Sequence, residues 1–465
     1  MSVTGVFDAR ERVLVIGLGR SGIATCAVLR ARGATVYATD EKPREALAKT
    51  IAELGATAVT FVDPGDLERV LGTLTSCVVS PGVPLNIELV RRVQRARISV
   101  YSEIEVAYRI SKATMVAITG TKGKTTTTAL VGAMFRRAGR TTHVGGNIGN
   151  ALIKETFVAE AGAWVIAEVS SFQLESIRSF KPKISAILNL SPDHLDRYHS
   201  MDEYSEAKFR IFANQGPSDT FVGNLDDPMI AELASGDSSK RLRARALWFS
   251  LAPRRQATIY VRDGRIIYAP PTGDPRPVEI MPVAKIPLAG RHNVSNVMAA
   301  LAIGLAADLD PAALRAAIVD FAALPHRLQR VAVADGITFV DDSKSTNPGS
   351  VIAALETFAQ AIVLIAGGKS KRTDFRAMGD AIVKRAKAVV LLGEAANEIA
   401  AVLHGVRVER ATSMDDAVAI ARSLASPGDI VLLSPGCASF DMFASAEARG
   451  DAFAQAASAK LGAHG

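Results

Sequence analysis

A short run rich in glycine and threonine constrains this chain more than any other feature: Gly120-Thr-Lys-Gly-Lys-Thr-Thr126. The apolar residues 115–118 before it predict a buried strand, and residues 125–138 after it are compatible with a helix. A loop between a strand and a helix turns backbone N–H groups and the helix N-terminus toward one point, which suits a phosphate chain. The run therefore predicts a site for a nucleoside triphosphate.

The polar residues of this run have distinct predicted roles. Lys124 would reach the outer phosphates, and the hydroxyl of Thr125 would ligate Mg2+. A glycine–threonine turn with a solvated lysine is the alternative, but the strand–loop–helix context favours the short G-T-x-G-K-T form of phosphate loop. The predicted ATP-binding residues of the loop are Gly120, Thr121, Lys122, Gly123, Lys124, Thr125 and Thr126.

Length and charge restrict the class of protein. With 465 residues, the chain is too long for one core and suggests roughly three domains. The net charge of +7 is small for this length, and no run of five or more basic residues occurs. This distribution favours anionic small molecules as ligands and argues against a nucleic-acid partner.

Cysteine usage and the first apolar run indicate the compartment. Cys26, Cys77 and Cys437 are widely separated and form no CxxC pair, so neither a disulfide framework nor a zinc site is expected. The apolar residues 13–16 are far too few for a signal-peptide core or a membrane span. We expect a reduced, soluble, cytoplasmic enzyme with no membrane partner.

The first hundred residues alternate strand and helix patterns. A predicted strand at residues 12–16 leads into Gly17-Leu-Gly-Arg-Ser-Gly22 and a helical stretch, and a second strand ends at Asp40. This βαβ order predicts a parallel sheet with ligand loops at the carboxyl ends of its strands. The glycine pattern with Asp40 is typical of NAD sites, but domains of this fold also bind other nucleotides, so both readings stay open.

Three polar residues stand out after the phosphate loop. Glu168 ends a predicted strand, where a nucleotide site needs a hard oxygen ligand for Mg2+, although a solvated strand-end glutamate would look the same. His194 lies among carboxylates and hydroxyls in Ser191-Pro-Asp-His-Leu-Asp-Arg-Tyr198, so we do not expect a core histidine. Lys208 lies in a helical pattern, and sequence alone would place it at the surface.

The last third of the chain again alternates strands and helices. Its polar loops, residues 341–347, 367–374 and 434–439, follow predicted strands, as an open α/β substrate site requires. Before it, a long alanine-rich helix opening at Arg291 puts Asn293 and Asn296 on adjacent turns of one face. Residues 258–268 predict a hairpin that turns at Asp263-Gly264.

Taken together in chain order, these motifs resemble those of the Mur ligases of bacterial peptidoglycan synthesis. The motifs are GLGRSG, VVSPG, ITGTKGKTTT, GGNIG, EVSSFQLE, LNLSPDHLDRY, EYSEAK, GRHNVSN, LPHR, DDSKSTNP and LLSPGCASFDMF. The resemblance implies an α/β protein of three domains: a Rossmann-like UDP-binding domain at residues 1–102, a central ATP-binding P-loop domain at 103–324, and a Rossmann-like amino-acid-binding domain at 325–465. The first domain would then hold a UDP moiety and no nicotinamide.

The resemblance also implies a reaction. ATP phosphorylates a substrate carboxylate, the amine of an amino acid attacks the acyl phosphate, and the tetrahedral intermediate collapses to amide and phosphate. The Asp-Asn-Pro-Arg motif of the diaminopimelate-adding relative is absent, which favours glutamate as the amino acid. The resemblance implies that D-glutamate is added to UDP-N-acetylmuramoyl-L-alanine. We expect a monomer that uses ATP and Mg2+.

Residues that match the motifs receive roles by the same resemblance. The catalytic set is Lys124, Lys208 and His194; the Mg2+ ligands are Thr125, Glu168, His194 and a carbamylated Lys208, because a carbamate is anionic and an ammonium group is not. Further ATP contacts are Asn293, Asn296, Arg327 and Asp342. The UDP-substrate contacts are Arg20, Ser21, Asp40, Ser80, Gly82, Asn147 and His194. D-glutamate contacts are Thr346, Lys371 and Ser439, with Lys369 as a competitor of Lys371.

Other functions would leave part of the sequence unexplained. A different Mur ligase, or an enzyme like folylpolyglutamate synthetase, would share the ATP domain but differ in the first domain and in the Lys371 loop. An NAD-dependent oxidoreductase would use Gly17 to Gly22 and leave the phosphate loop without a role. A regulatory P-loop ATPase would leave the third domain without a function.

Overall fold

The computed structural model describes residues 7–147, 149–193, 197–271, 276–322, 324–370 and 373–459. The chain divides into two compact units. One comprises Met1–Lys285 and Ser295–Asp320, and the other comprises Ile286–Val294 and Phe321–Gly465. The mixed α/β architecture with three sheet-containing regions confirms the predicted fold class.

The first region is a Rossmann-like sheet of five described strands, all parallel, in the order β3-β2-β1-β4-β5. The strands are β1 (Arg12–Ile16), β2 (Thr35–Thr39), β3 (Thr60–Phe61), β4 (Ser76–Val79) and β5 (Ser99–Ser102); the helices are α1 (Arg20–Ala31), α2 (Ala48–Ala56), α3 (Glu68–Leu71) and α4 (Glu88–Arg95). Both side-chain faces of β4 are buried, which explains why a parallel strand is apolar without alternation.

The second region of the same unit contains nine described strands in the order β14-β13-β12-β11-β10-β9-β6-β8-β7. They are β6 (Thr114–Thr119), β7 (Thr142–Gly146), β8 (Trp164–Glu168), β9 (Ile184–Ile187), β10 (Thr220–Asn224), β11 (Arg245–Ser250), β12 (Ile259–Arg262), β13 (Arg265–Tyr268) and β14 (Val278–Pro282). The helices are α5 (Glu103–Ile110), α6 (Lys124–Arg137), α7 (Leu152–Val158), α8 (Ser171–Leu174), α9 (Met201–Phe209), α10 (Pro228–Ala231), α11 (Arg291–Ala306) and α12 (Pro311–Val319). Of these, α11 belongs to this unit only from Ser295 onward.

Strand order brings the functional loops of this region together. The parallel strand β6 lies between β8 and β9, so the three loops that follow these strands leave the same edge of the sheet. The antiparallel hairpin β12–β13 turns at Asp263 and Gly264, whose φ angles of 51° and 70° match the twist of the flanking strands, as predicted.

The third region is a sheet of six described strands in the order β15-β16-β20-β17-β18-β19. They are β15 (Gln329–Ala334), β16 (Ile337–Asp341), β17 (Ile362–Gly367), β18 (Ala386–Leu392), β19 (Arg407–Arg410) and β20 (Ile430–Gly436); the helices are α13 (Pro348–Leu355), α14 (Arg376–Arg385), α15 (Ala396–Ala400), α16 (Met414–Leu424) and α17 (Ala446–Ser458). Sequence analysis missed the antiparallel edge strand β15, whose residues are mostly half-exposed.

Two further expectations concern the whole chain. Cys26, Cys77 and Cys437 are free thiols, as their spacing predicts, and all three are buried. Within the described ranges, no helix combines the length and the apolar character that crossing a membrane would take.

Candidate active site

The phosphate loop joins β6 to α6 in a conformation that requires glycine. Gly123 precedes the helix with a φ of 80°, which disfavours side chains. A Cβ at Gly123 would lie 2.2 Å from Oδ1 of Asn296, so a larger residue would also displace that asparagine. The predicted strand–loop–helix arrangement is present. Asn296, which belongs to a different helix, α11, packs against the loop.

Lys124 is the first residue of α6, and its side chain turns back over the loop. Its Nζ donates hydrogen bonds to the carbonyl oxygens of Gly120 and Thr121, each at 2.9 Å. The cation is thus held at the point toward which the helix N-terminus is directed. A phosphate chain in this position would meet both the helix dipole and the ammonium group.

Lys208 is not a surface residue, contrary to what its sequence context alone suggests. Its side chain is 2% exposed, lies over the ring of Tyr204, and donates to the carbonyl oxygen of Gly120 at 3.0 Å. Burial lowers the pKa of Lys208 well below its ordinary value, and the nearby cation of Lys124 lowers it further. Burial thus favours the neutral form of this amine more than exposure to solvent would.

Glu168 offers the strongest structural sign of a cation site. It ends β8 beside Ile118 of β6, and it is 1% exposed. Its Oε1 accepts a hydrogen bond of 2.9 Å from the side chain of Asn147, whereas Oε2 is buried without a hydrogen-bond partner among the described residues. A buried carboxylate oxygen in this state fits a hard cation such as Mg2+.

The described residues do not supply a complete set of metal ligands from histidine, cysteine and carboxylate side chains. His194 lies outside the described residues. In the described part of the chain, no three His, Cys, Asp or Glu side chains converge closely enough to hold a metal ion. Glu168 would thus need ligands other than described His, Cys, Asp and Glu side chains to complete a coordination sphere.

A cavity of 420 Å³ opens at the carboxyl edge of the first sheet and reaches the loop after β7. It is lined by every described residue predicted to contact the UDP-substrate: Arg20, Ser21, Asp40, Ser80, Gly82 and Asn147. The Oδ2 atom of Asp40 accepts a hydrogen bond of 2.6 Å from the Leu18 backbone, and Oγ of Ser80 donates to the Gly17 carbonyl at 2.6 Å. Asp40 and Ser80 therefore also shape the glycine loop.

Sequence analysis missed Glu103, a buried carboxyl close to this cavity. Its Oε1 accepts a hydrogen bond of 2.8 Å from the backbone of Ile153, and its Oε2 is buried without a hydrogen-bond partner among the described residues. Burial raises the pKa of Glu103 to about 7, although the Ile153 bond and the Arg20 charge oppose the rise. A glutamate that opens a helix ordinarily reads as a solvated residue, so no sequence signal distinguishes it.

The second compact unit brings three predicted loops together. The backbone N–H of Gly436 donates to the carbonyl oxygen of Ser345 at 2.9 Å, and the backbone N–H of Lys369 donates to the carbonyl oxygen of Ala438 at 2.8 Å. The loops after β16, β17 and β20, which carry Thr346, Lys369 and Ser439, are thereby joined. Lys371 lies outside the described residues.

Asp342 is buried at the root of the first of these loops. Its Oδ2 accepts hydrogen bonds from the hydroxyls of Ser345 and Ser434, the latter at 2.9 Å. Burial raises the pKa of Asp342 to about 6, although these hydroxyls and the positive charge of Arg327 oppose the rise. Asp342 and Arg327, both predicted ATP contacts, thus belong to one electrostatic cluster.

Arg449 of α17 is a second residue that sequence analysis missed. Its guanidinium is 1% exposed and donates to three carbonyl oxygens, those of Ser343, Cys437 and Ala438, and to the Ser343 hydroxyl. It ties the loop after β16 to the loop after β20. A cation in an alanine-rich helix gives no sequence signal of this function.

Asn293 and Asn296 lie on one helix, α11, as predicted. The side chain of Asn293 donates to the carbonyl of Ala289 at 2.7 Å, so it stabilises the start of the helix. Asn296 instead faces Gly123 of the phosphate loop.

Comparisons with known proteins agree with this arrangement. Family models match successive parts of the chain: the Mur ligase MurD-like N-terminal domain at residues 11–102, the Mur ligase middle domain at 118–304, and the Mur ligase glutamate ligase domain at 326–437. The chain belongs to the Mur ligase family.

Two curated relatives that match nearly the whole chain carry the same name. The chain is 41% identical over 443 residues to the UDP-N-acetylmuramoylalanine–D-glutamate ligase of Koribacter versatilis. The aligned region covers 95% of this chain and 96% of that protein. It is 42% identical over 447 residues to the enzyme of the same name from Pelotomaculum thermopropionicum, with 96% of both chains covered.

Solved structures show the same fold at low sequence identity. The MurF ligase of Thermotoga maritima in complex with ADP matches with a TM-score of 0.60 and 13% identity, over 98% of this chain and 99% of that one. The UDP-N-acetylmuramate-alanine ligase MurC from the same organism matches with a TM-score of 0.58 and 20% identity, over 92% and 96%.

Proposed function

We propose that this protein is an ATP-dependent ligase that joins D-glutamate to UDP-N-acetylmuramoyl-L-alanine through an acyl phosphate. The observation that carries the proposal is the hydrogen bond from Asn147, in the wall of the 420 Å³ cavity, to Glu168, beside the phosphate loop. This contact supports placing the cavity and the proposed metal ligand Glu168 in one site. The two full-length relatives with this reaction in their names support it.

The first step is phosphoryl transfer. An oxygen of the substrate carboxylate bonds to the γ-phosphorus of ATP while the bond to the leaving ADP breaks. Lys124, at the N-terminus of α6, would stabilise the charge on the transferring phosphoryl oxygens. Further ATP contacts in this proposal are Gly120, Thr121, Lys122, Gly123, Thr125, Thr126, Asn293, Asn296, Arg327 and Asp342.

Mg2+ suits the same site. Thr125, Glu168, His194 and the carbamate of Lys208 would hold the ion, which when bound neutralises charge on phosphate oxygens. The buried Oε2 of Glu168 supports this assignment. The lowered pKa of Lys208 supports the modification, because only the neutral amine adds to CO2, giving an anionic carbamate and releasing a proton.

The second step forms the amide. The neutral amine of D-glutamate attacks the acyl carbon, loses a proton, and phosphate leaves as the bond from carbon to its bridging oxygen breaks. Thr346, Ser439 and Lys371 or Lys369 would bind the carboxylates of the amino acid, because cations and hydroxyls are suitable donors for them. The proximity of the loops that carry Thr346, Lys369 and Ser439 supports this assignment.

The division of labour follows the three domains. We assign the UDP-substrate to residues 1–102, ATP to residues 103–324 and the amino acid to residues 325–465, in a monomer that works in the cytoplasm. His194 would contact the UDP-substrate as well as the metal.

Phosphate release by the purified protein tests the proposal. The assay contains ATP, Mg2+ and UDP-N-acetylmuramoyl-L-alanine, with D-glutamate, L-glutamate or meso-diaminopimelate added in turn. Release only with D-glutamate is the expected result. Release with another amino acid would keep the ligase chemistry and change its second substrate. Hydride transfer to NAD in the absence of any phosphate release would overturn the proposal.

A further inference from the structure

We infer that Asn189 is the positioning residue of the phosphate loop, setting the orientation of three consecutive peptide groups on which nucleotide binding depends. The inference rests on the proposed function only in assigning a nucleotide to this loop. Asn189 lies two residues beyond the end of β9, the strand that neighbours β6.

Asn189 contacts the loop through three hydrogen bonds. Its Oδ1 accepts from the backbone N–H of Lys122 at 2.8 Å, and its Nδ2 donates to the carbonyl of Lys122 at 3.0 Å. Its own backbone carbonyl accepts from the N–H of Thr121 at 2.9 Å.

Peptide planarity transmits these contacts to the two lysines. In a trans peptide the N–H points opposite to the C=O of the preceding residue. With the Lys122 N–H directed at Asn189, the carbonyl of Thr121 points the other way, where it accepts from Nζ of Lys124 at 2.9 Å. With the Thr121 N–H directed at Asn189, the carbonyl of Gly120 likewise points away.

That Gly120 carbonyl accepts from both functional lysines, Lys124 at 2.9 Å and Lys208 at 3.0 Å. The third peptide follows the same rule: because Nδ2 of Asn189 holds the Lys122 carbonyl, the N–H of Gly123 points away from Asn189. Gly123 immediately precedes α6, whose first-turn N–H groups are those that helices offer to anions.

Only a side chain with one acceptor and one donor in a planar group can make both contacts to Lys122. Asparagine meets this requirement at this reach, whereas an ionised aspartate cannot donate and alanine can do neither. The side chain is therefore selected by its hydrogen-bonding pattern, and it acts on ATP through the loop without touching it.

The experiment compares Asn189→Ala and Asn189→Asp with the wild-type protein. We expect the dissociation constant for ATP to rise roughly tenfold or more in both variants. Asn189→Ala loses both side-chain hydrogen bonds to Lys122, whereas an ionised Asn189→Asp loses the donor to the Lys122 carbonyl and places a carboxylate oxygen against that carbonyl. Affinity for UDP-N-acetylmuramoyl-L-alanine should change less than about twofold, because its cavity is not touched.

Asn189→Asp provides a second readout that a loss of stability would not give. A protonated carboxyl again has one donor and one acceptor, so ATP affinity relative to wild type should recover as the pH is lowered toward the range where carboxyls protonate. Asn189→Ala should show no such recovery.

Asn214→Ala is the matched control. Nδ2 of Asn214 donates to the carbonyls of Arg178 and Phe180 at 2.9 and 3.1 Å, so the variant also loses two backbone hydrogen bonds in the same compact unit. It should lose similar stability and keep wild-type ATP affinity. If Asn189→Ala binds ATP as tightly as Asn214→Ala, the inference is wrong. If the wild-type protein itself binds no ATP, the proposed function fails instead.

Discussion

The side-chain amide of Asn147 donates a hydrogen bond of 2.9 Å to Oε1 of Glu168, and the backbone N–H of Asn147 donates to the Glu168 carbonyl at 2.9 Å. Asn147 lines the cavity proposed for the UDP-substrate, and Glu168 is the proposed metal ligand. A residue that lines the cavity and the proposed metal ligand are therefore in direct contact, so substrate binding can affect the metal ligand.

Asn147→Asp tests this contact. The change places a second carboxyl against Glu168, so one of the two should hold a proton near neutral pH. We expect the Mg2+ concentration needed for half-maximal activity to change by roughly tenfold or more, together with weaker UDP-substrate binding. Mg2+ titrations of activity and substrate-binding isotherms measure the two effects. A change in substrate affinity alone would show that the two sites are not coupled.

Lys124→Ala tests the proposed separation of sites. Removing the ammonium group should lower kcat by roughly a hundredfold or more, because a charge that acts on the transferring phosphoryl group is lost. UDP-substrate affinity should stay near the wild-type value. Lys112→Ala is the control, because Lys112 forms an exposed ion pair with Glu160. Weak UDP-substrate binding in the Lys124 variant would contradict the separation.

Lys208→Ala tests the carbamate. Incubation of the wild-type protein with 13C-labelled bicarbonate should give a carbamate carbon signal that the variant lacks, because only a neutral amine adds to CO2 and burial lowers the pKa of Lys208. Depleting CO2 should lower wild-type activity, and adding bicarbonate should restore it. Full wild-type activity in a buffer free of CO2 would show that the modification is not required.

Glu103→Gln should stabilise the protein at alkaline pH. Folding raises the pKa of Glu103 from 4.5 to about 7, so the folded protein is more stable when this carboxyl is protonated. That stability is complete below pH 4.5 and is lost as the pH rises to about 7, an effect of about 3 kcal/mol at most. Denaturant unfolding at pH 5 and pH 8 should show the variant gaining stability only at pH 8.

Glu105→Gln is the control of opposite sign. Burial would raise the pKa of Glu105, but hydrogen bonds from Ser179 and Arg178 outweigh it and lower the pKa overall. The stability contributed by Glu105 is present above the ordinary glutamate pKa and is lost as the pH falls. Its variant should therefore lose stability at pH 8. Identical pH profiles for the two variants would contradict both assignments.

Lys371→Ala and Lys369→Ala together decide which lysine binds the amino acid. The variant that lacks the binding lysine should show a KM for D-glutamate raised roughly tenfold or more, with the KM for ATP little changed, because a charge-assisted contact to a carboxylate is lost. Initial-rate measurements at varied D-glutamate distinguish the two. An unchanged KM in the Lys371 variant would assign the role to Lys369.

Much of this protein is determined locally and is readable in the sequence. The phosphate loop, the glycine turns and the alternation of strands and helices depend on neighbouring residues, so the run from Gly120 to Thr126 and the turn at Asp263 were predicted where they occur. Sheet order brought the predicted loops to common edges, because parallel strands place their carboxyl ends together.

Only the tertiary structure decided which polar residues are buried and what they contact. Lys208, Glu103, Asn189 and Arg449 look like ordinary surface or loop residues in the sequence, yet each is held by groups far along the chain. The physical reason is that desolvation and hydrogen-bond geometry depend on distance in space and not on separation in sequence. The sequence by itself determined the local elements and the chemistry available. Packing determined the burial of Lys208, which lowers its pKa, and the orientation of the phosphate loop.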